Sequence, residues 1–295
     1  MRPAERGFLL LTSHLGNPDR QVLSTAQLRT LADRIRHAAS PEEDRELSEK
    51  DLVRLGYNRE MSRRIVALLE EETVLEHYLH RGARAECTPI TRMNPDYPLI
   101  LRQRLGLDSP GCLWVKGDRT ILNTPAVSVV GSRELRDENR LFAETAGRQA
   151  ALQGLTLISG NARGADRSAQ AACLEAGGRV ISIVADELSR QNPAKNVLYV
   201  SEEDFDAPFS AQRALSRNRS IHAMGRMVFV AQSDLRKGGT WDGTVKNLRF
   251  GWSPVACFRD GSEASQQLEQ MGAYLIGTGE LSDLGALIQS ELRFL

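Results

Sequence analysis

The sequence predicts an α/β protein: an open, mostly parallel sheet preceded by a small helical domain. Three observations carry this. Short apolar, β-branched runs recur from residue 125 onward, in AVSVV, LTLIS, RVISIVA, RMVFVAQ and PVACF. Stretches with helical spacing lie between and after them. Residues 1 to about 82, in contrast, carry helical spacing alone. Strands that are apolar throughout, rather than alternating, are buried on both faces, which requires helices on either side of the sheet.

Taken in order, LSTAQLRTLADRIRHAA places Leu28, Leu31, Ile35 and Ala38 at helical spacing, with Ser24 or Thr25 as its cap. SPEED, residues 40–44, reads as a break and a new start. The next stretch has apolar positions at Leu52, Leu55, Ile65, Leu68, Leu69, Val74 and Leu75. Gly56 splits it into two helices, and Gly82 is expected to end the last one. The resulting domain, 1–82, is of the SAM or helix-hairpin-helix kind, with LGYN as its tight joint. Residues 83–122 connect, with two prolines in NPDYP and a short strand in LWVKGD. After AVSVV the chain breaks at Gly131, and the following helix is expected to bury Leu141, Phe142, Thr145, Ala146 and Ala150. Gly154 suits the turn into LTLIS, and ADRSAQAACLEAGG is a helix closed by Gly177 and Gly178. TWDGTVKNLRF and SEASQQLEQMGA supply later helices. The whole of 83–295 therefore reads as an extended Rossmann-like open sheet.

Composition narrows the function. Lys plus Arg equals Asp plus Glu at 38 each in 295 residues, so net charge selects no partner. Local charge does: Phe209–Phe250 holds eight basic residues against two acidic ones, and Asp186–Asp206 holds six acidic against two basic. A basic segment of that kind suits a polyanion. The four cysteines form no C-x-x-C, and Cys173 and Cys257 read as core thiols; no metal or cofactor is expected. The four-residue apolar run near the N-terminus is short for a signal peptide, and no segment approaches a membrane span, so a cytoplasmic protein is expected. G-x-G-x-x-G after a strand, the Walker A pattern, G-x-S-x-G and H-E-x-x-H are all missing.

In open α/β sheets, ligands bind beyond the carboxyl ends of the strands. Three such loops pair glycine with a cation: Gly131-Ser132-Arg133, Ser159-Gly160-Asn161-Ala162-Arg163-Gly164-Ala165-Asp166, and Lys237-Gly238-Gly239-Thr240. Glycine lets backbone approach a ligand, the following helix offers unpaired N–H groups, and arginine adds a fork matched to phosphate oxygens. Asp166 is expected to orient Arg163 or to cap the helix. Arg217-Asn218-Arg219 precedes the strand RMVFVAQ as a further phosphodiester bracket, or as a charged turn. Phe209, Trp241, Phe250 and Trp252 are the rings available for stacking bases. No nucleophile–base pair stands out; of five histidines, only His222 falls in the basic segment, and an enzyme is not expected.

YPLILRQRLGLDSPGCLWVKGD, VSVVGSR, LISGNARGADRSAQAACLEAGG and RALSRNRSI, in that order, resemble the DNA-processing protein DprA (Smf) family over about residues 82–273. The resemblance implies a Rossmann-like domain that binds single-stranded DNA, forms a homodimer and works with a RecA-type recombinase. It maps the family's GSR loop onto Gly131, Ser132 and Arg133, its SG-x-ARG-x-D loop onto Ser159, Gly160, Arg163, Gly164 and Asp166, and its RNR segment onto Arg217, Asn218 and Arg219. Lys237, Gly238, Gly239 and Thr240 fall at its small-residue loop. Asn161, Gln170, QNPAKNVLY and KGGTWDGT depart from the usual pattern, and the winged helix that many members carry is not expected. A divergent member is expected, serving DNA uptake, recombination or a mobile-element or defence setting. The alternative is a nucleotide-binding sensor or nucleotide hydrolase of a related Rossmann-like family, with Asp166, Glu202, Glu203 and Asp234 as its available carboxylates.

Overall fold

The computed structural model describes residues 1–38 and 47–292; the break expected at 40–44 lies outside them. Internal contacts divide the chain into two compact units, Met1–Tyr97 and Pro98–Leu295.

The first unit holds helices α1 (Pro3–Thr12), α2 (Thr25–His37), α3 (Glu49–Arg54), α4 (Arg59–Leu69) and α5 (Glu72–Arg84), then strand β1 (Cys87–Thr91). Ser24 caps α2, accepting from the Gln27 amide at 3.3 Å. Leu31 of α2 packs with Leu11, Leu23, Leu52, Ile65 and Leu68. Ile35, one turn further, lies beyond that core and is exposed, contrary to its expected place, as is Val74. Gly56 makes the joint between α3 and α4 at φ +87°. A second break, at Glu70–Glu71, was not visible in the apolar pattern. There the buried Arg20 donates to Glu71 and to the Leu10 carbonyl, both at 2.6 Å, fixing the α4–α5 corner. Gly82 does not end α5; it is buried within the helix, and the chain first turns left-handed at Glu86 (φ +59°). The unit runs past residue 82 because a polar anchor holds the end of β1 and the turn after it: the buried Glu5 carboxylate accepts from Asn94 at 2.7 Å and from Thr91 at 3.5 Å.

The second unit starts with α6 (Leu99–Leu105) and β2 (Cys112–Gly117). Next come β3 (Ala126–Val130), α7 (Asp137–Leu152), β4 (Thr156–Ser159), α8 (Ala165–Glu175), β5 (Arg179–Ile183) and β6 (Val197–Ser201). The rest is α9 (Ala211–Met224), β7 (Val228–Val230), α10 (Gly238–Phe250), β8 (Val255–Phe258), α11 (Glu263–Gln270), β9 (Tyr274–Ile276) and α12 (Leu284–Leu292). Its strands lie in the order β2-β6-β5-β4-β3-β7-β8-β9. All neighbours are parallel except β2 and β6. The chain builds outward from β3 to β6 on one side, then returns to β3 and builds β7 to β9 on the other. That reversal leaves a crevice beyond the carboxyl ends of β3 and β7, where such sheets take their ligands.

Alternation along β3 shows how both faces are buried. Val127 and Val129 pack with Phe142, Ala146 and Ala150 of α7 and with Ala165, Ala169 and Cys173 of α8. Ser128 faces the other way and donates to the Ile221 carbonyl of α9 at 2.6 Å. Gly147 lets α7 approach α8: a Cβ there would lie 2.0 Å from the Ala169 carbonyl oxygen. Leu141, expected inside, is exposed and Thr145 half-buried, since the inward stripe of α7 runs through Phe142, Ala143, Ala146 and Ala150. Burial lifts the Cys173 and Cys257 thiols to about 11 and about 12, as inert core groups. Among the described residues, no helix is long and apolar enough to cross a membrane.

Candidate nucleic-acid interface

The crevice at the strand reversal opens into a cleft of about 890 Å³. One wall is the pair of loops after β3 and β4. Gly131 is tight there because a Cβ would lie 2.6 Å from the Ala165 Cβ. Ser132 is held across the sheet, its amide donating to the Gln232 carbonyl at 3.0 Å, while its own carbonyl accepts from Ala165 N–H at 3.2 Å. Gly164 sits at φ +86°, and a Cβ would meet the Ser132 carbonyl oxygen at 2.3 Å. No residue but glycine fits that backbone. Asn161 takes the left-handed region at φ +60°, which asparagine tolerates better than a branched or bulky residue. This departure from the family pattern thus has a local backbone reason.

Asp166 neither orients Arg163 nor caps its helix through its side chain. Its Oδ2 accepts from the Gly160 and Ala162 amides, both at 3.1 Å, and so ties the loop back onto α8. Burial pushes this carboxyl above its ordinary range, opposed first by the Arg217 guanidinium and then by the two amides. Arg163 instead reaches Glu134 at 3.3 Å, with both side chains largely in solvent. Ser159 is fully buried and binds Gln170 at 2.7 Å, so it serves the core and not the cleft.

The opposite wall is α9 and the start of α10. Arg217-Asn218-Arg219 is not a turn but the middle of α9, whose N-cap Ser210 accepts from Arg213 N–H at 3.1 Å. Two residues advance a helix by about 200°, so the two arginines diverge. Arg217 enters the cleft, while Arg219 lies within the field of Glu202. Arg217 is 8% exposed, and its Nε and Nη1 have no hydrogen-bond partner. Burial lowers its pKa, offset by Asp166, Glu202 and Asp186 in turn; a guanidinium nonetheless stays protonated in a protein. Gly160 makes its room: a Cβ there would stand 1.3 Å from Arg217 Nη1. Asn218 donates to the Gly239 carbonyl at 3.2 Å, joining α9 to the start of α10. Lys237 is the N-cap of α10 and makes no side-chain cap bond, and Gly164 likewise leaves α8 without one. At α8 the Ala165 and Arg167 amides are already spent on the Ser132 and Ala162 carbonyls, both at 3.2 Å, so it is α10 that brings unpaired N–H groups to the rim.

Of the residues singled out in the sequence, the cleft gathers Gly131, Ser132, Arg133, Arg163, Asp166, Arg217, Asn218, Lys237, Gly238, Gly239 and Thr240. Gly160 lines an adjoining hollow of about 300 Å³ with Arg133, Arg163 and Arg217. Ser159, Gly164 and Arg219 line neither. Phe209, 55% exposed, stands where the two spaces meet. Trp241, Phe250 and Trp252 lie elsewhere, the last two stacked at 5.7 Å. Sequence reasoning missed Gln232 and Leu215, which line the cleft without a motif.

A family model described as DNA recombination-mediator protein A matches residues 88–284. Protein Smf of Escherichia coli (strain K12) is 33% identical over 146 residues, covering 44% of this chain and 38% of its own length. DNA processing protein DprA of Streptococcus pneumoniae (strain ATCC BAA-255 / R6) is 29% identical over 190 residues, covering 59% of this chain and 66% of its own. The chain thus spans less than two thirds of either relative. The crystal structure of the Streptococcus pneumoniae protein matches with a TM-score of 0.67 at 23% identity, covering 90% of this chain and 94% of that one. DNA processing protein A of Helicobacter pylori, whose single-stranded DNA binding mode has been described structurally, matches with a TM-score of 0.56 at 23% identity over 70% of this chain and 96% of that one. Because the matched span runs through both loops, α9 and the start of α10, this chain belongs to the family of DNA recombination-mediator protein A.

Proposed function

We propose that the chain is a single-stranded DNA-binding protein that holds the phosphate backbone in this cleft. The observation that carries the reading is Arg217: a guanidinium taken out of water, with two nitrogens lacking partners, in a cleft that also holds the uncapped N-terminus of α10. Such a group is stabilised by an incoming anion that replaces its lost hydration. Arg133, Arg163 and Lys237 add an exposed cationic rim, and Phe209 offers a ring on which a base can stack. The family membership and the Helicobacter pylori relative's binding mode support the same reading.

A nucleotide hydrolase would need a carboxylate poised to act on the glycosidic bond. Of the carboxylates lining the cleft, Asp166 has one oxygen engaged by two backbone amides and Glu134 is paired with Arg163, which favours holding roles for both and leaves Asp234 as the candidate a hydrolase would have to use. The proposal extends, through the family resemblance, to a homodimer and to a RecA-type recombinase as partner.

The test is fluorescence anisotropy of a labelled oligo-dT, alone and annealed to its complement, at two salt concentrations. The expected result is salt-sensitive binding of the single strand over the duplex, with a log–log slope of about −0.7 per phosphate contact. Absence of binding at low salt, with mononucleotides binding instead, would replace this reading with the nucleotide sensor.

A further inference from the structure

The floor of the cleft carries a polar group that phosphate binding leaves unused. His222 is 1% exposed yet lines the cleft. Its neighbours fix where its proton sits. Asn247 Oδ1 accepts from the Ser253 amide at 2.9 Å, so the Asn247 amide nitrogen points the other way. One of that nitrogen's hydrogens goes to Ser253 Oγ at 3.1 Å, and the other to His222 Nδ1 at 3.2 Å. Ser253 Oγ has already given its own hydrogen to the His222 carbonyl at 2.8 Å, so toward Asn247 it can only accept. Nδ1 is therefore an acceptor without a hydrogen, and the single ring proton sits on Nε2. Burial keeps the ring neutral, with its pKa lowered to about 4. Gly243 leaves the Nε2 edge uncovered by a side chain, since a Cβ there would stand 3.0 Å from it.

Asn218 lies one helical turn before His222 on α9 and lines the same cleft. Its amide nitrogen gives one hydrogen to the Gly239 carbonyl, which assigns Oδ1 as the acceptor on the other side of the amide. An uncharged donor and an uncharged acceptor thus stand side by side, among cations that already suit phosphate.

We propose that His222 Nε2–H and Asn218 Oδ1 form a base-edge subsite, receiving the Watson–Crick edge of one unpaired nucleobase while the guanidinium groups take its phosphates. Every nucleobase presents a donor beside an acceptor on that edge, as thymine presents N3–H beside O4, and the edge is free only in a single strand. The subsite rests on reading the cleft as a site for single-stranded DNA.

The test compares oligo-dT with an oligomer of the same length built of abasic sites. Wild-type protein is expected to favour oligo-dT by roughly tenfold or more, from two neutral hydrogen bonds and the stack on Phe209. His222→Ala should lower that preference by about threefold or more, the bond to Asn218 Oδ1 and the stack on Phe209 remaining. Wild-type protein that binds both equally, or a His222→Ala protein that keeps the full preference, overturns the subsite and leaves the phosphate cleft standing. Wild-type protein that binds neither overturns the cleft reading itself. Nitrogen-15 spectra of histidine-labelled wild-type protein need no variant to fold. They should show His222 as the Nε2–H tautomer at pH 7, with a signal that moves on adding oligo-dT and stays still with the abasic oligomer. An Nδ1–H tautomer, or a signal that ignores oligo-dT, contradicts the proposal.

Discussion

The two walls of the cleft use arginine in opposite ways. On the loop wall, glycines and Asp166 shape the backbone, while Arg163 projects into solvent and meets Glu134. On the helix wall, Arg217 is buried against Gly160 with two nitrogens unbonded, and His222 and Asn218 stand near it uncharged. An exposed guanidinium gives up little water and gains little on meeting a phosphate; a buried one gains the bonds it lacks. Position in a motif therefore does not rank these arginines, whereas burial and unmet hydrogen bonds do.

The contrast can be broken at four points, in falling order of effect. Gly164→Ala forces a side chain into φ +86° and against the Ser132 and Arg133 carbonyls. It should cost about 3 kcal/mol or more, read as a lower urea midpoint. His222 imposes an acid-side loss that its absence should remove. Above pH 6.5 the ring is neutral folded or unfolded; between 6.5 and about 4 the unfolded chain takes up a proton that the folded chain refuses, and below that both are charged. Stability should fall by about 3 kcal/mol as pH drops through that window, relative to the slope of His222→Gln, in denaturant melts at stepped pH. Gly160→Ala places a methyl group where the Arg217 guanidinium lies. It should weaken oligo-dT binding by about tenfold in anisotropy titrations, because the fork is displaced without being deleted. Glu134→Gln, on the solvent-exposed pair, should leave stability within about 0.5 kcal/mol by thermal melt.

Much of the loop wall was legible in the sequence because strands buried on both faces announce themselves. AVSVV, LTLIS and RVISI became β3, β4 and β5, and the glycines after them fell at the strand ends. The helix wall was harder. RALSRNRSIHAM has a weak apolar stripe and many polar residues, so it read as a phosphodiester bracket or a charged turn before a strand, although Ser210 stood ready as the cap of α9. Without that helix, Arg217 and Arg219 looked equivalent. β6 escaped because its antiparallel partner β2 lies more than eighty residues earlier, a pairing that periodicity does not reveal. Ser159 and Gly164 were grouped with the ligand-facing residues because a loop motif does not show which of its members face inward; one is spent on Gln170 and the other on the backbone of the neighbouring loop.

The central claim is that Arg217, more than Arg163, holds the anion. Oligo-dT titrations of wild-type, Arg217→Ala, Arg217→Lys and Arg163→Ala protein, at two salt concentrations and after matched thermal melts, test it most directly. The account predicts a loss of roughly ten- to a hundredfold for Arg217→Ala, partial recovery with lysine, and less than about threefold loss for Arg163→Ala. Each variant should flatten the salt slope by no more than about one, across different DNA sequences alike. Equal losses at the two arginines, or a larger loss at Arg163, would contradict it.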